Sequence, residues 1–498
     1  MRVPAIRIRA CNREAVNPGG KFVLYWMIAN RRLRYNFALD RALEHCQILK
    51  KPLVILEALR VGYPWASDRL HRFVMDGMAE NARFCGDRGV RYHAYVEPLR
   101  GAGKGLLRTL AQDACVVVTD EFPCFFLPKM VASAAKQVKV LLEEVDSNGL
   151  LPLRATESVA QRAFDFRRIL QGELPKHLED FPHADALAKA KPAKVGPELS
   201  KDIHGKWRMA TVELLGGGES GLGELPIDHT VLPDGLRGGQ EAARSCLKEF
   251  LDKRLPRYAE ERNEPENDVA SGMSPYLHFG HISVHEILAE LAKREKWKPE
   301  KLAVRATGSR EGWWNMSKNA EAFLDEAVTW REVGYNFASH RKDYDRYESL
   351  PEWAKKTLKE HERDEREFVY DLKEFEEAQT HDPLWNAAQR QLVREGKIHN
   401  YLRMLWGKKI LEWSRSPEKA AGIMIELNNK YGLDGRNPNS YSGIYWVLGR
   451  YDRPWGPERP IFGLIRYMSS GNTARKVSVK NYMKKYGPET TDQGRLEF

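Results

Sequence analysis

Cysteine is scarce and scattered in this chain of 498 residues: Cys11, Cys46, Cys85, Cys115, Cys124 and Cys246 include no C-x-x-C pair. That pattern speaks against a disulfide or zinc framework and fits a reducing cytosol or nucleus. Long apolar runs are missing too. No stretch approaches the ~20 apolar residues of a membrane span, and the N-terminus MRVPAIRIRA lacks the apolar core of a secretory signal. The expectation is a soluble, non-secreted protein without a membrane partner, cytoplasmic and nucleoid-associated or nuclear according to its source. No tandem repeat is evident. The run Gly101-Ala102-Gly103-Lys104-Gly105 lacks the Walker spacing and reads as a flexible helix start. His281 and His285, in HISVH, have neither a third ligand nor HExxH order, so no metal site is expected.

What is present is basic and rich in indole. A formal net charge of +10 fits a polyanionic partner, because each Lys or Arg set on a phosphate releases counterions. Thirteen tryptophans are the more unusual count. Three of them, Trp385, Trp406 and Trp413, fall in HDPLWNAAQRQLVREGKIHNYLRMLWGKKILEW, from His381 to Trp413. Trp406 and Trp413, seven residues apart, share one helical face with Cα atoms roughly 10 Å apart. Indoles at that pitch are either a packed stripe or stepping stones for single electrons. Asn386, Asn400 and Arg403, interleaved among them, favour the second reading, since a purely structural helix has little use for amides and a guanidinium between apolar anchors.

The first 150 residues alternate short apolar runs with amphipathic segments. Strands are predicted at Phe22–Met27, Pro52–Leu59, Val90–Val96, Cys115–Asp120 and Val138–Asp146, with helices near Asn36–Leu49, Asp68–Gly86, Lys104–Gln112 and Pro128–Gln137. The alternation predicts a Rossmann-like, doubly wound parallel sheet, whose ligands lie beyond the carboxyl ends of the strands. The turns at Asn30–Asn36 and Asp120–Pro123 are then candidate pocket walls. Residues 151–245 carry Pro175, Pro182, Pro192, Pro197 and the run GGGESGLGELP, and read as a connector. From 246 to 498 the periodicity is helical, which predicts an α/β domain joined to an all-α domain. Helices are expected around Ala242–Leu255, Val284–Lys293, Ala320–Asn336, Trp353–Lys359, Leu372–Ala378, Asp382–Glu395, Asn400–Ser414 and Pro417–Tyr431.

Several linked motifs carry a family resemblance. Trp385-Asn386-Ala387, Gln391-Leu392, Gly396, His399-Asn400 and Arg403-Met404 resemble the flavin-cradling core of the photolyase and cryptochrome family. SPYLHFG at Ser274–Gly280, FLDEAVTWRE at Phe323–Glu332, LNNKYGLDGRNPNSYSGIYW at Leu427–Trp446, and DRPWG followed by IRYMS are similar to class II cyclobutane pyrimidine dimer photolyases. The likeness runs from about Lys21 to about Tyr486.

The resemblance implies FAD held by Tyr258, Ser271, Ser274, Arg331, Asn400, Arg403, Asn428 and Asp434. Among these, Ser271 and Ser274 would offer hydroxyls ahead of a helix that Pro275 opens, and Arg331 a phosphate cation. Arg403 and Asp434 would pair over the flavin ring, and Asn428 would lie near its N5. Glu326 and Trp330, one helical turn apart, with Met404 and Trp446, would line the pocket for a flipped pyrimidine dimer. Arg453, Trp455 and Arg466 would form the DNA-facing rim, Arg466 entering the space the lesion leaves. Trp406, Trp385 and Trp413 would relay electrons from the flavin-proximal end to an exposed end, with Tyr370 extending the path. Leu405 stands where class II relatives often carry an aromatic residue, which puts a side branch in doubt. The N-terminal domain, 1–150, would hold an antenna pigment such as a deazaflavin.

The activity this implies is light-driven repair of cyclobutane pyrimidine dimers, in duplex and single-stranded DNA, by a monomeric carbon–carbon lyase. A cryptochrome-like blue-light photoreceptor without repair activity is the alternative. The dimer-pocket residues and the absence of a long tail after Tyr486 argue for repair. A flavin-free helical nucleic-acid-binding protein is a third reading, which a yellow colour on purification would eliminate.

Overall fold

The structure, a computed structural model, describes residues 2–190, 197–217 and 221–488. Pro192 of the connector, Gly218–Ser220 of its glycine-rich run and the segment after residue 488 lie outside the described residues. Six strands form one sheet: β1 (Ile8–Ala10), β2 (Phe22–Met27), β3 (Leu53–Leu59), β4 (Arg91–Val96), β5 (Ala114–Asp120) and β6 (Leu142–Val145), in the order β1-β6-β5-β2-β3-β4. Every pairing is parallel except β1 with β6. The chain runs outward from β2 through β3 to β4 and returns to place β5 on the other side of β2, so strand order reverses between β2 and β5. That reversal is the switch point at which open α/β sheets bind ligands.

All six residues of β2 and all seven of β5 are buried, which is why β2 reads as an apolar run throughout and β5 as one up to Thr119 and Asp120. Asp120, at the end of β5, fastens the switch point. Its Oδ2 accepts the amides of Ile28, Ala29 and Asn30 at 2.8, 2.8 and 3.0 Å, and its Oδ1 the Tyr25 hydroxyl at 2.7 Å. Asn36 caps helix Phe37–Leu49 by accepting from the amides of Ala38 and Leu39.

The chain packs as two compact units. The first comprises 1–259, 271–349 and 433–442, and contains the sheet; the second comprises 260–270, 350–432 and 443–498. Packing therefore groups residues differently from the sequence division at 150 and 245, which followed periodicity alone. Within the first unit, Lys318–Leu324, Asp325–Trp330 and Arg331–His340 form one continuous helical run whose middle segment is π-wound. Buried Glu332 on this run accepts the amides of Leu150 and Leu151 at 2.7 and 3.0 Å, and burial pushes its carboxyl up to about 7. The second unit is built on helices Pro383–Glu395, Asn400–Trp413 and Pro417–Tyr431. No helix among the described residues is long and apolar enough to cross a membrane.

Candidate functional site

In the second unit Trp385 and Trp413 stand ring against ring, and Trp385 reaches Trp406 through the latter's backbone carbonyl. Asp382 accepts from the amides of Leu384 and Trp385 and so starts helix Pro383–Glu395, while Gly396 ends it at φ 62°. Trp385 is fully buried, and its indole N–H donates to the backbone carbonyl of Trp406 at 3.0 Å. The Trp406 N–H donates to Gln389 Oε1 at 2.9 Å. The rings of Trp385 and Trp413 lie 6.1 Å apart at 70°, and Tyr370 meets Trp413 edge-on at 5.8 Å. Trp413 is only 4% exposed, which corrects the expectation that it is the exposed end. Tyr370 and His381 cover it, His381 at 4.9 Å, and the Lys409 ammonium stands 5.3 Å from its ring. Exposure begins beyond it, at half-buried Tyr370 and exposed His381.

Helix Asn400–Trp413 is buried on almost every side, and two of its buried residues are lysines. Lys409 pairs with Glu412 at 2.5 Å. Lys408 instead donates to the Val447 carbonyl at 2.5 Å and stands 5.3 Å from the centre of the Trp446 ring. Gly407 permits this close approach, since a Cβ there would sit 2.6 Å from Val447. Burial pushes the Lys408 ammonium down to about 7, with Asp452 opposing the shift and Arg466 adding to it. Sequence reasoning passed over Lys408, Gln389 and His381. For Lys408 a signal existed, because it shares a helical face with Met404, Leu405 and Leu411, three and four positions away, where an amphipathic pattern calls for an apolar residue.

Met404 and Trp446 are half-buried, and Arg453 and Arg466 are exposed. Both guanidinium groups lie 4.3 Å from the Trp455 ring, whose N–H donates to Asp452 at 3.0 Å. Arg453, Trp455 and Arg466 thus form one cation–aromatic cluster. Asn428 is buried, and among the described residues its side chain makes one hydrogen bond, a long one of 3.4 Å to Asn429, so it keeps capacity for a further polar group. Asn400 is exposed at its helix start and Arg403 is half-buried on the next turn.

In the first unit, Glu326 and Trp330 lie in the π-wound segment, both half-buried. They still stand about one turn apart. Such single π turns recur at functional sites, and here the neighbouring Asp325 anchors the segment through a buried bidentate pair with Arg167 at 2.8 and 3.1 Å. Arg331 donates to the Asn148 carbonyl at 2.7 Å and the Tyr335 hydroxyl at 3.0 Å, which leaves its remaining N–H groups for any anion. Ser274 lies inside helix Ser274–His278 rather than before it, and Ser271 accepts from the Met273 amide at 3.3 Å. Tyr258 sits edge-on against Phe250 and Phe323. The backbone carbonyl of half-buried Asp434 accepts from Asn437 and Ser440.

A cavity of about 650 Å³ opens beyond the carboxyl ends of β2, β3 and β5, at the switch point. Arg31 and Phe122 from the two expected turns line it, joined by Ala29, Tyr63, His278 and the Gly101–Gly105 turn. That turn is no phosphate loop: the amides of Gly101 and Gly103 are taken by Glu97 Oε1 at 2.9 and 3.1 Å, and Gly105 leads into helix Leu106–Gln112 at φ 96°. His278 Nδ1 is buried without a partner, and burial drives its imidazole well below the usual range. His281 accepts from the Gly239 amide at 2.9 Å, and His285 contacts Ser283 at 3.2 Å. Among the described residues no three His, Cys, Asp or Glu side chains gather as metal ligands.

A protein from Methanothermobacter thermautotrophicus described as deoxyribodipyrimidine photo-lyase is 34% identical over 482 residues, covering 97% of this chain and 98% of its own. The chain belongs to the photolyase family. Proteins of the same description from Potorous tridactylus and Oryza sativa are each 32% identical to this family member, over 93% and 96% of it and 81% and 89% of themselves. Among solved structures, a class III photolyase from Agrobacterium tumefaciens superposes with TM-score 0.67 at 17% identity, covering 94% of this chain and 86% of its own. An archaeal photolyase from Sulfolobus tokodaii, solved with two FAD molecules, gives TM-score 0.65 at 14% identity, covering 95% and 91%. At those identities the likeness is one of fold. No protein-family model matches the chain.

Proposed function

We propose that this photolyase-family chain repairs cyclobutane pyrimidine dimers in DNA with light, in the manner of class II enzymes. One observation carries the reading most: similarity along almost the whole chain, at 34% identity, to a protein described as deoxyribodipyrimidine photo-lyase, in a chain that carries Glu326, Trp330, Met404, Trp446 and Arg466. FAD is the cofactor that fits. The donor set suits it: hydroxyls of Ser271 and Ser274, the cations Arg331 and Arg403, the carboxylate of Asp434, Tyr258, Asn400, and an Asn428 amide with unspent hydrogen-bonding capacity. Held by these residues in its reduced form, FAD would supply the photochemistry, the loan of a single electron to the dimer. The protein's own residues bind and orient. Trp330, Met404 and Trp446 wall the flipped lesion, Glu326 hydrogen-bonds to it, and Arg453, Trp455 and Arg466 hold the surrounding DNA. Trp406, Trp385, Trp413 and Tyr370 deliver electrons for cofactor activation and take no part in ring splitting.

On this reading 1–150 is the antenna domain, 151–245 the connector and 246–498 the FAD-binding and DNA-binding domain. The switch-point cavity would take a planar pigment such as a deazaflavin, with unpartnered His278 as a polar contact. Blue-light treatment of dimer-containing DNA with the fully reduced protein, followed by counting restored thymines, tests the proposal. Restoration supports it. No restoration with intact reduced cofactor would favour the photoreceptor alternative.

A further inference from the structure

Tyr370 Oη lies 2.8 Å from His381 Nδ1 and also accepts the backbone N–H of His381 at 3.0 Å. The amide occupies a lone pair of the phenol, so the phenolic proton is left to point at the imidazole nitrogen. The Tyr370 backbone N–H donates to the Trp413 carbonyl at 3.0 Å, which fixes the phenol against the last indole. The imidazole is held as firmly. It stacks on Phe368 at 3.7 Å and 19°, and meets Trp413 at 4.9 Å. Because His381 is exposed, a proton arriving at Nδ1 can leave through Nε2 to water.

We infer that His381 is the proton acceptor that makes Tyr370 the terminal electron donor of the indole relay. The inference rests on the relay reading proposed above. Once light has drawn an electron inward through Trp406 and Trp385, Trp413 is left as a cation radical. It takes one electron from Tyr370 and returns to a neutral indole. In the same step the Oη–H bond breaks, the proton forms an N–H bond at His381 Nδ1, and a neutral tyrosyl radical remains beside an imidazolium. Charge and atoms balance: one positive charge moves from indole to imidazolium, and one unpaired electron from Trp413 to Tyr370. Without the base, oxidation would leave a protonated phenol radical cation, a far poorer product. An acceptor 2.8 Å from the proton it removes stands at general-base distance.

Flash photolysis of the FAD-loaded chain, with electron paramagnetic resonance on frozen samples, separates the two radicals. In the unaltered protein the tryptophan radical should give way to a tyrosyl radical, more slowly in D2O than in H2O. His381→Phe keeps an aromatic ring in the stack. It should leave tryptophan oxidation normal, slow tyrosyl formation roughly a hundredfold or more, and recover with added imidazole. His381→Gln, which keeps a hydrogen bond without basicity, should behave like His381→Phe. Tyrosyl formation at the original rate in either variant would overturn the inference while leaving the relay standing. Failure to form any tryptophan radical in the unaltered protein would remove the relay reading itself, and the inference with it.

Discussion

The indole N–H of Trp385 donates to the backbone carbonyl of Trp406 at 3.0 Å, tying the middle ring of the proposed relay to the helix that carries its two proposed ends. Trp385 therefore cannot turn without breaking a buried hydrogen bond, and its 6.1 Å separation from Trp413 is a fixed feature of the fold. Trp406→Phe should abolish photoreduction of oxidised cofactor yet leave repair nearly intact after chemical reduction. It also strands Gln389 Oε1, so stability should fall by about 1–3 kcal/mol. Trp413→Phe should slow lasting charge separation more mildly. Transient absorption and a repair assay with dithionite-reduced protein check both variants, and normal photoreduction in Trp406→Phe would take that residue out of the path.

Glu326 is expected to act on the dimer after the electron has arrived, when negative charge on the opening ring strengthens its hydrogen bond with the carboxyl group. Glu326→Ala should lower the quantum yield per bound lesion by roughly five- to tenfold, about 1–1.4 kcal/mol of barrier, with a smaller loss of affinity. The Arg167–Asp325 pair should keep the π-wound segment in place in the variant. If affinity collapses while the yield per bound lesion is unchanged, Glu326 is a docking contact alone.

Much of this was legible in the chain because burial and periodicity coincide. β2 begins and ends at the residues its apolar run marks, and β5 starts one residue earlier than its run suggests. Strand β1 escaped notice because Ile8-Arg9-Ala10 alternates too briefly and borrows its order from an antiparallel partner, β6, more than 130 positions away. The π winding at Asp325–Trp330 left no trace, since helical periodicity is almost unchanged by one widened turn. Burial of Trp413 was hidden for another reason. The side chains that cover it, Tyr370 and His381, each come from the residue before a helix N-cap, and no helical wheel places those. Lys408 shows the opposite case, a visible anomaly whose cause, the nearby Val447 carbonyl, lay 39 residues away.

The Lys408 ammonium, pushed down to about 7 by burial, makes stability depend on pH in a defined direction. Its unfolded value is near 10.4, so between about 7 and 10.4 the unfolded chain holds the extra proton and stability rises with pH, by at most about 1.4 kcal/mol per unit. Below about 7 the charged lysine is buried in full and the handicap is greatest. Lys408→Met removes that handicap at the cost of one hydrogen bond, about 1 kcal/mol. Its advantage in denaturant midpoint over the unaltered protein should be largest near pH 6 and shrink towards pH 10. An advantage that does not change with pH would mean that Lys408 is not titrating as its surroundings imply.

The switch-point cavity gives the antenna proposal a test that leaves the repair residues untouched. Met130 lines the cavity from helix Leu127–Ala135. Met130→Trp puts an indole into the space a pigment would need. The variant should purify without the second chromophore, lose the part of the action spectrum that the chromophore supplies, and retain full repair when the flavin is excited directly. Normal pigment retention, read from the absorption spectrum of the purified protein, would move the antenna elsewhere.

Arg466 and Arg453 both rest 4.3 Å from Trp455, so before DNA binds the proposed lesion-gap arginine already has a resting place on an indole. That stacking is worth only about 0.5–1 kcal/mol at an exposed site, little enough for a long cation to exchange it for contacts inside a duplex that has lost two stacked bases. Only duplex DNA presents such a gap with orphaned partner bases. Arg466→Ala should therefore weaken binding to dimer-containing duplex by about 1–3 kcal/mol, roughly five- to 150-fold in Kd, and binding to the same lesion in single-stranded DNA much less. Flavin content and ring splitting of bound lesions should stay normal. Trp455→Ala supplies the control, because it removes the resting place and leaves the guanidinium, and so should cost less on duplex than Arg466→Ala. Titrations of both variants against labelled duplex and single strand at one fixed salt concentration decide the matter. Equal weakening on the two DNA forms would make Arg466 a general phosphate contact, and loss of flavin from the variant would place it outside the DNA rim altogether.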